Sequence, residues 1–126
     1  MAALAGGALI GACGGDDGGS APSVPKLSAA GERGRQVAQA SGCVVCHTPT
    51  GVRSTGPTWK DLAGARVELD DGTTVTADEA YLRRAITDPG ADVVDGYPPI
   101  MPKVRLDDRE VDDLLAYLRD LSTTQR

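Results

Sequence analysis

Cys43-Val44-Val45-Cys46-His47 sets two thiols three positions apart with an imidazole directly after the second. That spacing lets both sulfurs add to the two vinyl groups on one side of a porphyrin. The next residue then lies beneath the iron, where a ring nitrogen makes the proximal bond. One short turn would fix the position, tilt and rotation of the whole ring. Two other chemistries also use a Cys-x-x-Cys pair: a thiol-disulfide exchange site, which expects a β/α framework, and a closed zinc site, which needs four ligands. This chain has no such alternation of strands and helices, no second histidine and no further cysteine pair.

His47 is the only histidine, and Met101 the only methionine beyond Met1. If the iron takes a second axial ligand from the chain, the pairing is nearly forced. A thioether opposite an imidazole favours ferrous iron and raises the haem potential. The plainer use of a methionine is to fill gaps in a core. Pro98, Pro99 and Pro102 surround Met101 with a stiff, non-helical loop suited to presenting a sulfur at a fixed place. With both axial positions filled no substrate reaches the metal, so the expectation is an electron carrier, not an enzyme. A haem sensor or enzyme with an open axial site is the alternative if Met101 stays off iron.

The elements that must position these groups are modest. The chain has 126 residues, enough for one small domain, and only 3% aromatics with no Phe. Side chains alone would struggle to fill such an interior, whereas a buried cofactor would supply apolar mass. A net charge of −5 with no basic run argues against nucleic acid as a partner. Residues 1–13 read as an export segment whose Leu9-Ile10-Gly11-Ala12-Cys13 resembles a bacterial lipobox, making Cys13 a lipidation site. No Lys or Arg precedes the apolar run, so the true start lies upstream or the segment is a tail with an incidental thiol. Residues 14–27, rich in Gly, Asp and Pro, form a flexible linker of roughly 20 Å average reach.

From Ser28 to Ser122 the pattern predicts a mainly α-helical domain, with residues 123–126 a tail. Ser28 caps a first helix reaching about Ser41, with Ala30, Gly34, Val37 and Ala38 inward and a close helix approach at Gly31 or Gly34. Residues 67–76 alternate about Asp71-Gly72 as a small decorative β-hairpin. Thr76 and Glu79 form a capping box for a second helix that stops at Thr87-Asp88-Pro89-Gly90. Asp107 and Glu110 repeat the device ahead of Val111, Leu114, Leu115, Leu118 and Leu121, one apolar helix face. The acidic run of Asp107, Asp108, Glu110, Asp112 and Asp113 reads as a solvated face. Arg53, Lys60, Lys103 and Arg105 are candidates for a basic rim around an exposed haem edge.

Gly34, Cys43-x-x-Cys46-His47, Gly56-Pro57, Gly96-Tyr97-Pro98-Pro99-Ile100-Met101-Pro102 and Tyr117 together resemble class I cytochrome c. The hairpin, the Tyr81-Leu82-Arg83 helix and the stretch from Asp88 to Pro102 are similar to the cytochrome c domain fused to subunit II of caa3-type terminal oxidases. The resemblance implies an all-α domain around one covalent haem c, attached at Cys43 and Cys46 and held at iron by His47 and Met101. It implies that the Pro57 carbonyl accepts a hydrogen bond from the imidazole's other nitrogen, and that Gly34 lets the last helix cross closely at Tyr117. Val37 stands where the family often has an aromatic. Trp59 would pack at the haem edge or bond a propionate, or serve simply as core, and Tyr97 is similarly open between haem contact and structure.

The implied function is single-haem electron transfer in an extracytoplasmic respiratory chain, with the protein tethered through lipidated Cys13. The alternative is an electron-entry subunit of a terminal oxidase complex. Partners would be redox proteins, among them a terminal oxidase and a quinol-oxidising complex. The location would be the outer face of a bacterial cell membrane, or periplasmic or secreted if Cys13 carries no lipid.

Overall fold

The computed structural model describes residues 25–123, so the export segment with Cys13, most of the linker and the end of the tail lie outside the described residues. Ser28 begins the first helix as its position predicts. Its backbone is extended, and its Oγ accepts from the Gly31 N–H at 3.0 Å, satisfying a donor that the first helical turn leaves without a partner. Helix α1 then runs Ala29–Ala40 and ends before Gly42, whose φ of 76° turns the chain through the left-handed region into a single 3-10 turn, Cys43–Val45. An antiparallel hairpin follows, β1 Arg66–Glu68 and β2 Thr74–Thr76, with Val67 opposite Val75. Helix α2 is Glu79–Thr87 and helix α3 is Asp108–Thr123.

Among the described residues, three α-helices and a two-stranded hairpin make a mostly helical domain, as the patterning predicts. The core is the apolar stripe of α3. Val111, Leu114, Leu115, Leu118 and Leu121 are all buried, and Leu115 and Val111 are the largest fully buried side chains. Each such residue contributes about 1.5–3 kcal/mol by leaving water. Asp107 and Glu110 close the expected capping box at the start of α3: the Glu110 N–H donates to Asp107 Oδ1 at 2.8 Å and the Asp107 N–H to Glu110 Oε2 at 2.9 Å.

α1 lies across α3, and glycine permits it. A Cβ on Gly34 would sit 2.0 Å from the Asp113 carbonyl oxygen and 2.9 Å from Tyr117 Cβ, so the two backbones meet at the crossing the resemblance implies. A Cβ on Gly31 would meet the Asp120 carboxylate, which also accepts from the Ser28 N–H and Oγ. The inward face is therefore Gly31, Gly34 and Ala38, with Ala30 and Val37 only half-buried.

Three sequence expectations need correction. The second helix is capped by Asp78, whose Oδ1 accepts from the Tyr81 N–H at 2.8 Å, not by Thr76. Thr76 is still a strand residue paired with Arg66, and Glu79 turns outward to Arg83 and Arg119. The acidic run is not a solvated face throughout. Asp113 is buried and takes two bonds from Arg33, Nε at 3.0 Å and Nη2 at 2.8 Å, while Asp112 pairs with Arg83. Nor is the hairpin mere decoration: the outer edge of β1 binds the segment 93–95. The Asp95 N–H donates to the Glu68 carbonyl and the Asp70 N–H to the Val93 carbonyl, both at 2.9 Å, with Leu69 bridged to Val94. No helix among the described residues is long and apolar enough to cross a membrane.

Candidate functional site

The turn after α1 presents the chemistry. In a 3-10 turn side chains at i and i+3 eclipse, so Cys43 and Cys46 point the same way while the residues between them point elsewhere. The Cys46 and His47 N–H groups both return to the Cys43 carbonyl, at 3.2 and 3.0 Å. Val44 is 42% and Val45 77% exposed, while Cys43, Cys46 and His47 are half-buried and line one cavity. No disulfide joins Cys43 and Cys46, and burial pushes the Cys43 thiol up.

The imidazole is held on three sides. Nδ1 lies 2.8 Å from the Pro57 carbonyl, which can only accept, so Nδ1 carries the proton and Nε2 keeps its lone pair. Gly56 donates its N–H to the Cys46 carbonyl at 2.8 Å and packs so tightly that a Cβ there would lie 2.6 Å from His47 Cε1. The Trp59 ring stacks on the imidazole with centroids 5.0 Å apart and planes 13° apart, and meets Tyr117 edge-on at 5.9 Å. Burial pushes the His47 pKa below its ordinary value, partly offset by the Pro57 bond, so the neutral, metal-binding form prevails.

The same cavity, about 690 Å³, is walled elsewhere by Leu62, Tyr81, Leu82, Ile86, Leu114 and Leu118, and by the loop of Tyr97 to Pro102 that includes Met101. Beyond it Val104 and Leu106 also face inward, alternating with exposed Lys103 and Arg105. Met101 and Ile100 are 41% and 62% exposed, so this loop forms both a wall and a rim. Tyr97 lines the cavity and carries the Arg53 guanidinium over its ring at 4.4 Å.

These residues fit a porphyrin. Two thiols and an imidazole with a free Nε2 share one wall, a thioether belongs to another, and the cavity has the size and apolar lining of a cofactor site. Among the described residues no group of three His, Cys, Asp or Glu could hold a bare metal ion, so the zinc reading falls away. The family model described as cytochrome c matches residues 31–122. The chain belongs to the cytochrome c family. It is of class I type and binds one covalent c-type haem through Cys43 and Cys46 of the Cys-x-x-Cys-His motif. Among solved structures it is similar to cytochrome cH from Methylobacterium extorquens, at 27% identity over 71% of this chain and 96% of that one, with a TM-score of 0.53. No curated protein matches the cytochrome in sequence. Members of the family are electron carriers.

The sequence picked out Cys43, Cys46, His47, Pro57, Trp59, Tyr97 and Met101, and all of them line this cavity, whereas Cys13 lies outside the described residues. Trp59 meets the imidazole face to face, which pattern alone did not predict. Two contributions were missed, the close packing of Gly56 on the imidazole and the hold of Arg53 on the opposite loop. Only the adjacency of Gly56 to Pro57 signalled the first. Nothing local signalled the second.

Proposed function

We propose that the cytochrome carries single electrons in an extracytoplasmic respiratory chain, and that His47 and Met101 would hold the iron of its haem. The observation that supports this reading is one cavity lined by Cys43, Cys46 and His47 on one side and by the Met101 loop on another. When bound, the haem supplies a one-electron ferric/ferrous couple. The chain does the rest. Pro57 holds the imidazole by Nδ1 and raises its basicity, Trp59 fixes the ring plane, and Leu82, Leu114 and Leu118 keep water out. Prolines on both sides of Met101 would limit the movement of the loop that carries its thioether.

An alkaline pyridine haemochrome spectrum of the purified protein, joined to a Met101→Ala comparison, tests the reading. The native protein should give a c-type spectrum. The variant should lose the thioether-to-iron charge-transfer band and show a lower midpoint potential. An unchanged ferric spectrum in the variant removes Met101 from the iron.

The surroundings follow from the sequence resemblances. The lipobox-like Leu9 to Cys13 supports a lipid tether at Cys13, with the linker giving the domain lateral reach; mass spectrometry of the membrane fraction should find the acylated cysteine. Similarity to the cytochrome domain of caa3-type oxidases supports a terminal oxidase as acceptor and a quinol-oxidising complex as donor. Exposed Lys103 and Arg105, beside the Met101 loop, support docking through a basic rim together with Lys60. Neutralising them should flatten the salt dependence of electron transfer.

A further inference from the structure

We infer that Arg53 is a positioning residue that latches the Met101 loop across the cavity, acting on the iron only through Met101. The inference rests on the reading of Met101 as a ligand. Arg53 stands six positions after His47, on a loop braced from within: Thr48 Oγ1 donates to the Val52 carbonyl at 2.6 Å and the Gly51 N–H to Thr58 Oγ1 at 3.0 Å. From that base Nη2 donates to the Gly96 carbonyl at 2.7 Å, and the same guanidinium lies over the Tyr97 ring, 4.4 Å from its centroid. Among the described residues this is the only hydrogen bond between the histidine side, residues 43–58, and the methionine side, residues 88–106.

The position of the contact matters as much as its chemistry. At residues 93–95 the methionine side is held by backbone pairing to Glu68, Leu69 and Asp70, at and just past the end of β1. At Gly96 the chain turns, with φ of 78°. Beyond Tyr97, and among the described residues, residues 98–106 make no hydrogen bond outside their own segment, until Asp107 enters the cap of α3. Pro98, Pro99 and Pro102 have no N–H to offer. Arg53 therefore fastens the last tied point before Met101. A planar guanidinium can donate in its plane and stack on its face at once, whereas a lysine ammonium has no such face. Both interactions are partly solvated, so the expected effect is about tenfold on the opening of the loop.

Exogenous imidazole reads that opening directly. It reaches ferric iron only in molecules whose thioether has left, so its apparent affinity scales with the open fraction. In the ferric holoprotein, Arg53→Ala should tighten apparent imidazole binding about tenfold and weaken the charge-transfer band. Arg53→Lys should be only partly restored. Tyr97→Ala should tighten binding. Arg119→Ala, which removes an exposed ion pair to Glu79 away from the cavity, serves as the control for general destabilisation and should change nothing. If Met101→Ala tightens imidazole binding strongly while Arg53→Ala does not, the latch is overturned and the ligand reading stands. If Met101→Ala leaves the affinity unchanged, both fall. Equal effects of Arg53→Ala and Arg119→Ala also overturn the latch.

Discussion

At the scale of single residues, the imidazole is positioned more by what is absent than by what is added. Gly56 has no side chain where His47 needs room, and its N–H and the next carbonyl fasten the Cys46 carbonyl and the His47 ring. Gly56→Ala would place a methyl 2.6 Å from His47 Cε1, so either the ring or the 56–57 backbone must yield. The expected result is a loss of about 1–3 kcal/mol in thermal or denaturant unfolding. A changed low-spin ferric spectrum should accompany it, because the Nδ1 bond to Pro57 lengthens. Unchanged spectra with a lowered melting temperature would show that the backbone alone gives way.

Among the elements, the crossing of α1 over α3 joins stability to pH. The Arg33 guanidinium bonded to Asp113 holds that carboxyl below the usual aspartate range, outweighing the opposing effect of burial. A depressed folded pKa contributes stability above the ordinary value of about 3.9, and that contribution is lost as pH falls through the folded value. Asp113→Asn should therefore melt below the native protein near neutral pH, and the gap should close below about pH 4. A constant gap across a pH series of melting curves would assign the effect to packing. The helices themselves were legible in the sequence because their signals are local: Ser28, the Asp107/Glu110 box and the leucine stripe each lie within a few turns. The second helix's cap was misjudged since Thr76 was already committed to β2, leaving Asp78 as the next residue able to cap. The pairing of Asp70 with Val93 and of Glu68 with Asp95 joins positions more than twenty residues apart. No period in the chain encodes it. For the same reason the Arg53 contact to Gly96, 43 positions away, was invisible, although Cys43, Cys46, His47 and Met101 stood out by type and rarity.

For the molecule as a whole, the cavity is large relative to what surrounds it. One Trp and three Tyr, with no Phe, cannot close about 690 Å³ by rearrangement. Without the porphyrin ring, the apolar side chains that line the cavity, among them Leu82, Leu114 and Leu118, would face water at about 25 cal/mol per Å² of apolar surface. A variant with both Cys43→Ala and Cys46→Ala, produced without haem attachment, should lose its cooperative thermal transition and much of its helical circular dichroism. A haem-free chain that melted as sharply as the holoprotein would show that the polypeptide folds without its prosthetic group.

The outward aim of Val44 and Val45 has a practical side. They sit between the two attachment points yet face the solvent, so chemistry grafted there would stand a few bonds from the redox centre without entering its pocket. An amine introduced at position 45 would offer a short wire to an electrode or dye, in a place where the protein has already left the door unguarded.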